Sequence, residues 1–402
     1  MSLPTKSNEK ILLNNGSGSS YQTSAQKQWK SLIFGLYYKI TPFPEVTSSA
    51  TKITSIIIFV VGFLPLLFRT IFLLGKLGET TLFSLNWAYT FPLAVLSMHS
   101  IVSFVTLFML ALSNFYNEFT KKYTKIIHNE VPKGTPHIAA HVILGIFMAF
   151  FITAQLFFVY ENSQTFDHYV TDVTNSSATF RNSILGPADI YRLDTIVVLW
   201  ATFVSALALI IYNLVADTVV KACEKLNLEL KKTAESGELD NPESLNRYGN
   251  QQLQLLELAS FGFSYFGILA TFTFIAGFVT HVLIAFVTRS FIEDILPLTK
   301  IFSFMFMALG LFMLLVGVKR TSDFANELSK TSNIILFEPT IFSDGNEKLS
   351  LIATNIVFRI EHSHYLPKVF SSFKINEKFF QRAFLLIPFI IEYLNAFKKE
   401  IP

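Results

Sequence analysis

Stretches of apolar sequence long enough to cross a bilayer as helices leave this chain of 402 residues few folds to choose from. A crossing of the ~30 Å hydrocarbon layer takes about 20 predominantly apolar residues. Six such stretches lie at 55–75, 88–112, 138–160, 196–216, 259–287 and 296–318. A seventh, 379–397, reads FFQRAFLLIPFIIEYLNAF, with Arg382, Pro388 and Glu392 inside it. Both of its halves are apolar, so it reads as a span rather than a helix lying on the surface. The composition agrees, with 51% hydrophobic and 15% charged residues, where a soluble chain carries about 25% charged. The fold class expected is all-α: a polytopic membrane protein of seven transmembrane helices, residues 54–397. Charged, periodic sequence at 217–258 and 319–378 suggests helical extensions beyond the bilayer on one side.

The few charges give the orientation. The segments 1–53, 113–137, 217–258 and 319–378 hold 23 Lys and Arg, and those on the other side hold 6. Cytoplasmic loops accumulate Lys and Arg. The N-terminal segment 1–53, polar and partly disordered, is therefore expected in the cytoplasm, and the short tail 398–402 outside the cell. That segment contains no secretory-signal core, so the first span would serve as the signal anchor. The sequon Asn175-Ser176-Ser177 lies in the acidic loop assigned to the outside, which makes Asn175 a glycosylation candidate. This topology is opposite to that of a G-protein-coupled receptor. The single Cys223 also excludes the disulfide between helix three and the outer loop, and the acidic-Arg-aromatic and Asn-Pro-x-x-Tyr motifs are missing.

No chemistry of catalysis shows in the sequence. There is no nucleophile–base–acid set, phosphate loop or pair of catalytic carboxylates, so an enzyme is not expected. His137 and His141, spaced i, i+4, and His362-x-His364 lack a third ligand in a recognisable frame, so neither metal nor cofactor is expected. His99 reads as a buried, hydrogen-bonded group or a pocket residue. A net charge of +3 gives nucleic acid no footing.

Near the C-terminal end a pattern takes shape: Ser372-Phe373-Lys374-Ile375-Asn376, then Glu377-Lys378-Phe379-Phe380, with Phe397 in frame. It resembles the signature that insect gustatory receptors carry before and through their last helix. Phe389-Ile390 stands where that family has Thr-Tyr, and Ala396 where it has Gln. With the inverted seven-helix layout, the chain resembles the insect gustatory and odorant receptor superfamily, closest in style to nematode serpentine receptor class R proteins. The resemblance implies a chemosensory receptor of the plasma membrane: a ligand-gated cation channel built as a homotetramer, or as a hetero-oligomer with related receptors. It also implies a last helix that lines the pore, an anchor formed by the inner extensions, and a small-molecule pocket in the outer half of each subunit. Two other readings remain at this stage, a seven-helix receptor without a pore that signals through cytoplasmic partners, and a non-sensory membrane protein on the same fold.

Candidate residues follow from that frame. Glu392, Asn395 and Ala396 share a helix face at i, i+3 and i+4. Four copies of Glu392 would make an acidic ring that attracts cations, unless the carboxylate pairs with a neighbour such as Arg382. Phe389 and Ile390, one turn deeper, could form a hydrophobic constriction. Aromatic and imidazole side chains in the outer halves of the spans (Trp87, Tyr89, Phe157, Tyr160, Trp200, Phe203, His281 and Phe302) are candidates for the ligand pocket, although Trp and Tyr also gather at membrane interfaces. The expected ligand is small and largely hydrophobic.

Overall fold

The computed structural model describes residues 27–45, 48–126, 137–163, 191–293, 297–343, 346–362, 368–369, 373–374 and 377–400. A short helix α1, residues 27–34, precedes α2 (Ser49–Glu79), α3 (Leu85–Leu112), α4 (Phe115–Ile126) and α5 (Ile138–Ser163). Next come α6 (Tyr191–Glu235), α7 (Pro242–Ser264), α8 (Gly267–Ser290), α9 (Pro297–Leu336) and α10 (Glu347–His362). A two-residue antiparallel ladder, Lys368–Val369 against Phe373–Lys374, leads into α11 (Glu377–Glu400). The sequon at Asn175 lies outside the described residues.

Local signals place the helix ends. Ser48 caps α2 in a reciprocal box with Thr51, and Ser84 caps α3 by accepting from the Trp87 N–H at 3.2 Å. Gly237, at φ +74°, lets the chain leave α6 in the left-handed conformation. Asn241 then caps α7, whose first residue is Pro242. By length and composition α2, α3, α6, α8 and α9 can each cross a membrane, and the apolar part of α5 searched, Ile138–Ala154, is shorter. At 45 and 40 residues, α6 and α9 are about 68 and 60 Å long. Both are about twice as long as a crossing of the ~30 Å hydrocarbon layer needs.

α6 is the central post. Ala206 to Tyr212 are all at most 1% exposed, so the helix is enclosed on every side there. By contrast α2 shows Ile53, Ile57, Val61, Leu64, Phe68 and Ile71, each more than half exposed, along one stripe. That stripe matches lipid rather than water. α8 and α9 approach backbone to backbone at Gly277 and Gly310. A Cβ on Gly310 would stand 2.7 Å from the His281 nitrogen, and one on Gly277 would stand 2.8 Å from the Gly310 oxygen. Small residues allow this contact, which drives association where lipid removes the hydrophobic incentive.

Two elements differ from the sequence reading. The stretch 259–287 is not one helix: α7 ends at Ser264, and α8 starts at Gly267 after a turn at Tyr265 and Phe266. Rings fill that corner, with Phe115 lying 5.5, 5.1 and 5.9 Å from Phe261, Tyr265 and Phe266. The second difference is in the N-terminal segment, where residues 27–45 pack closely. Trp29, Ile33, Phe34, Tyr37 and Phe43 are all at most 6% exposed, so an amphipathic stripe at i, i+4, i+5 and i+8 is buried there.

Substituting Gly310 by Val should lower stability by about 2 kcal/mol, as overpacking against fixed backbone does. Gly145→Ala, where a Cβ meets nothing within 4 Å, should leave it unchanged. Thermal unfolding of the purified protein in detergent measures both, and equal effects would contradict the close α8–α9 contact.

Candidate functional site

A cavity of about 60 Å³ opens between α2, α3, α5, α6 and α9, room for about four water-sized groups. Its apolar walls come from Leu93, Leu96, Phe147, Phe150, Val198, Ala201 and Leu309, and its polar groups from Arg69, Ser97, His99, Ser100, Thr202 and Ser205. Several of the hydroxyls bond back to their own helices. Ser100 donates to the Leu96 carbonyl at 2.9 Å and Thr202 to that of Val198 at 2.8 Å. This leaves oxygen lone pairs available as acceptors. Ser97 Oγ also meets Thr70 Oγ1 at 2.7 Å, tying α3 to α2.

His99 is the hub. It is fully buried; Nδ1 lies 3.3 Å from Ser205 Oγ on α6, and Nε2 lies 3.0 Å from Thr273 Oγ1 on α8. Ser205 is also 3.0 Å from Ser100 Oγ. One imidazole thus connects three helices at the cavity wall, and one ring nitrogen must donate while the other accepts. The arrangement can hold a small apolar body and satisfy one or two polar atoms on it.

The pocket candidates named from sequence have neighbours outside this cavity. Trp87 packs with Phe83 and Phe91 at the start of α3. Tyr89 is buried and hydrogen-bonded to Ser303. Trp200 meets Phe104 and Phe203, and His281 Nδ1 lies 3.2 Å from the Met307 oxygen. Phe302 stacks on Phe150 at 5.9 Å, behind the cavity wall. None of these six is among the described lining residues. Phe157 and Tyr160 lie beyond the residues whose side chains are described. The sequence signal for this cavity was the presence of hydroxyls, Arg69 and His99 within otherwise apolar spans.

α11 attaches to the bundle mainly through the end of α8. Arg289 Nη1 lies 2.5 Å from Glu392 Oε1, Ser290 donates to Asn395, and Lys398 donates to the Ser290 carbonyl at 2.7 Å. Lys398 also stands 3.5 Å over the Phe291 ring. The partner of Glu392 is therefore Arg289, not Arg382. Asn395 turns toward α8 and Ile390 is half-buried, whereas Phe389, Glu392, Tyr393 and Ala396 are exposed. Pro388 lies within α11. Phe389 is 72% and Tyr393 62% exposed, an apolar face open along the helix.

Burial pushes the Cys223 thiol up to about 12, so thiolate is scarce at neutral pH. Among the described residues no cluster of His, Cys, Asp and Glu could hold a metal.

Replacing His99 by Phe removes both interhelical bonds and should destabilise the bundle by about 1–2 kcal/mol. Unfolding of the purified variant measures this, and an unchanged midpoint would contradict the hub. Arg289→Gln should cost under about 1 kcal/mol, because both partners are more than half exposed.

Comparison with known proteins adds the context. Residues 33–391 match the family described as Caenorhabditis protein of unknown function, DUF267. Curated proteins yield no match. In structure the chain is similar to the insect olfactory receptor OR5 from Machilis hrabei, with a TM-score of 0.58 and 10% identity over 93% of this chain and 98% of that one. It is also similar to the same receptor in complex with eugenol, with a TM-score of 0.56 and 8% identity over 95% and 99%. At such identities the likeness is one of fold. The chain belongs to the DUF267 family of Caenorhabditis proteins, and its fold is that of an insect olfactory receptor.

Proposed function

We propose that this multi-pass membrane protein is a chemosensory receptor acting as a ligand-gated cation channel, opened by a small, largely hydrophobic ligand. The observation that carries this reading is the cavity: apolar walls with His99, Ser100 and Ser205 converging on it, inside a fold shared with an olfactory receptor solved with eugenol. In the proposed orientation the N-terminus and the projecting ends of α6 and α9 are cytoplasmic, and the end of α11 is extracellular. The protein sits in the plasma membrane as an oligomer, a homotetramer in the simplest case, with the cytoplasmic extensions as its anchor.

A mechanism follows from the contacts. A ligand that enters the cavity competes for Ser205 and disturbs its bond to His99. His99 also holds Thr273 on α8. Sixteen residues further along that helix, about 24 Å away, Arg289 and Ser290 hold α11. α8 is thus a rigid element that touches the cavity at one point and the proposed pore helix at another. Phe389, exposed on α11, is the proposed constriction, closed by dewetting. Because Glu392 lies against Arg289, its carboxylate is partly neutralised and attracts cations less than an unpaired ring would.

Purified protein in liposomes, assayed for cation flux against a panel of small alcohols, ketones and phenols, tests the reading. Phe389→Ala should raise unstimulated flux several-fold, and Arg289→Gln should strengthen cation selectivity by exposing Glu392. Ser205→Phe, which fills the cavity, should abolish responses to the panel while leaving the Phe389→Ala leak intact. No flux from the wild type or from Phe389→Ala under any condition would favour the receptor without a pore.

A further inference from the structure

One end of the bundle carries a collar of aromatic rings and lysines that neither the cavity nor α11 uses. It is built by residues 27–45 and by α4, which packs under them. Trp29 meets Tyr123 edge-on at 6.0 Å, and Phe34 meets Tyr116 at 5.1 Å. The collar sits where the apolar helices begin and end. Tyr37 hydroxyl bonds His141 Nδ1 at 2.8 Å at the start of α5, and Phe43 packs on Phe104 and Phe108 near the end of α3. Phe115 stacks at the α7–α8 corner, next to the start of an apolar span. This is the level of a membrane–water boundary, where Trp and Tyr collect.

The charge there is one-sided. Residues 27–52 and 115–126 hold seven lysines against two carboxylates, Glu45 and Glu118. Glu45 is already paired with Lys30. Asp217, the acid nearest from α6, is bridged to Lys221 at 2.6 Å and to Arg320 at 3.3 Å. Lys27, Lys39, Lys52, Lys121 and Lys125 are exposed. Lys39 and Lys122 reach along aromatic rings, 5.8 Å from Tyr38 and 5.5 Å from Phe261, as long cationic side chains do at an interface. Burial, with the charge of Lys27 second, pushes Lys30 down to about 8, even though Glu45 pairs with it. His137 is held below the ordinary histidine value by burial and by the charges of His141 and Lys221, and it adds no anion.

We propose that this collar binds the head groups of anionic phospholipids, with the exposed lysines of residues 27–52 and of α4 contacting phosphate while the buried aromatic rings beneath them fix the collar to the bundle. The amphipathic α4 turns Phe115, Phe119 and Tyr123 into the protein and Lys121 and Lys125 outward, which leaves its charged face free for head groups. The anionic leaflet is the cytoplasmic one, so this site also fits the proposed orientation. It does not depend on the chain being a channel.

The test uses the full chain in mixed phosphatidylcholine and phosphatidylglycerol vesicles, with spin-labelled versions of each lipid reporting the fraction held at the protein. Phosphatidylglycerol should be preferred about tenfold, the scale expected when a few lysines engage one charged leaflet, and salt should weaken that preference. The combined variant Lys39→Gln, Lys121→Gln, Lys122→Gln and Lys125→Gln should fall below about twofold, and the matching Lys→Arg variant should retain the preference. Gln substitutions at Lys225 and Lys231, further along α6, should leave it intact. Helical circular dichroism verifies folding, and if the combined variant fails to fold, the single Lys39→Gln and Lys125→Gln variants must each lower the preference. Absence of preference in the wild type, its survival in the folded Gln variants, or its loss on adding inorganic phosphate at constant ionic strength would overturn the proposal.

Discussion

A hydroxyl or imidazole inside a bilayer has no water to turn to, and this constraint orders the bundle. Polar groups within the spans gain by bonding an oxygen or nitrogen on their own helix or a neighbour, although the hydroxyls of Thr90, Ser103 and Thr280 and the Trp200 indole find no such partner among the described residues. Thr70 with Ser97, Tyr89 with Ser303, His99 with Ser205 and Thr273, and Tyr212 with Thr321 join α2, α3, α6, α8 and α9 across more than twenty residues of sequence each. Such bonds average only about 0.6 kcal/mol in membranes, so their main effect is register. They fix which turn of one helix faces which turn of the next. The glycine contact of Gly277 with Gly310 then sets the α8–α9 distance, where the aromatic clusters fill wider gaps.

The same constraint concentrates chemistry. Where polar groups converge without filling the space between them, a cavity remains, with His99 and Arg69 on its wall. Other charges gather toward the ends of the bundle. At one end Arg289 and Lys398 secure α11 against α8; at the other, lysines and aromatic rings form the collar on α1 and α4. α8 touches the His99 hub along its length and the α11 attachment at its end, which makes it the natural element through which a binding event reaches the last helix.

The membrane class and most span positions were legible in the sequence, because twenty apolar residues in a row admit few alternatives. Which rings would face a ligand was not, because Trp and Tyr suit interfaces, ring packing and pockets equally well; Phe302 stacks on Phe150, Trp200 on Phe203, and Tyr89 bonds Ser303. The polar groups on the cavity wall include pairs about a hundred positions apart, as with His99 and Ser205, so no local pattern could join them. The i, i+3, i+4 face of Glu392, Asn395 and Ala396 was drawn from α11 alone. Docking α11 on α8 divides that face, turning Asn395 inward and placing Glu392 against Arg289, a partner about a hundred residues earlier. The buried stripe of Trp29, Ile33, Phe34 and Tyr37 was present in the sequence, but its brevity hid it among polar neighbours.

If the exposed face of α11 is a pore wall, as proposed, particle imaging of the full chain in lipid nanodiscs will show a symmetric assembly in which α11 from each copy surrounds a common axis with Phe389 turned toward it. Single copies, or an assembly in which Phe389 and Tyr393 face lipid away from any shared axis, would rule the pore out.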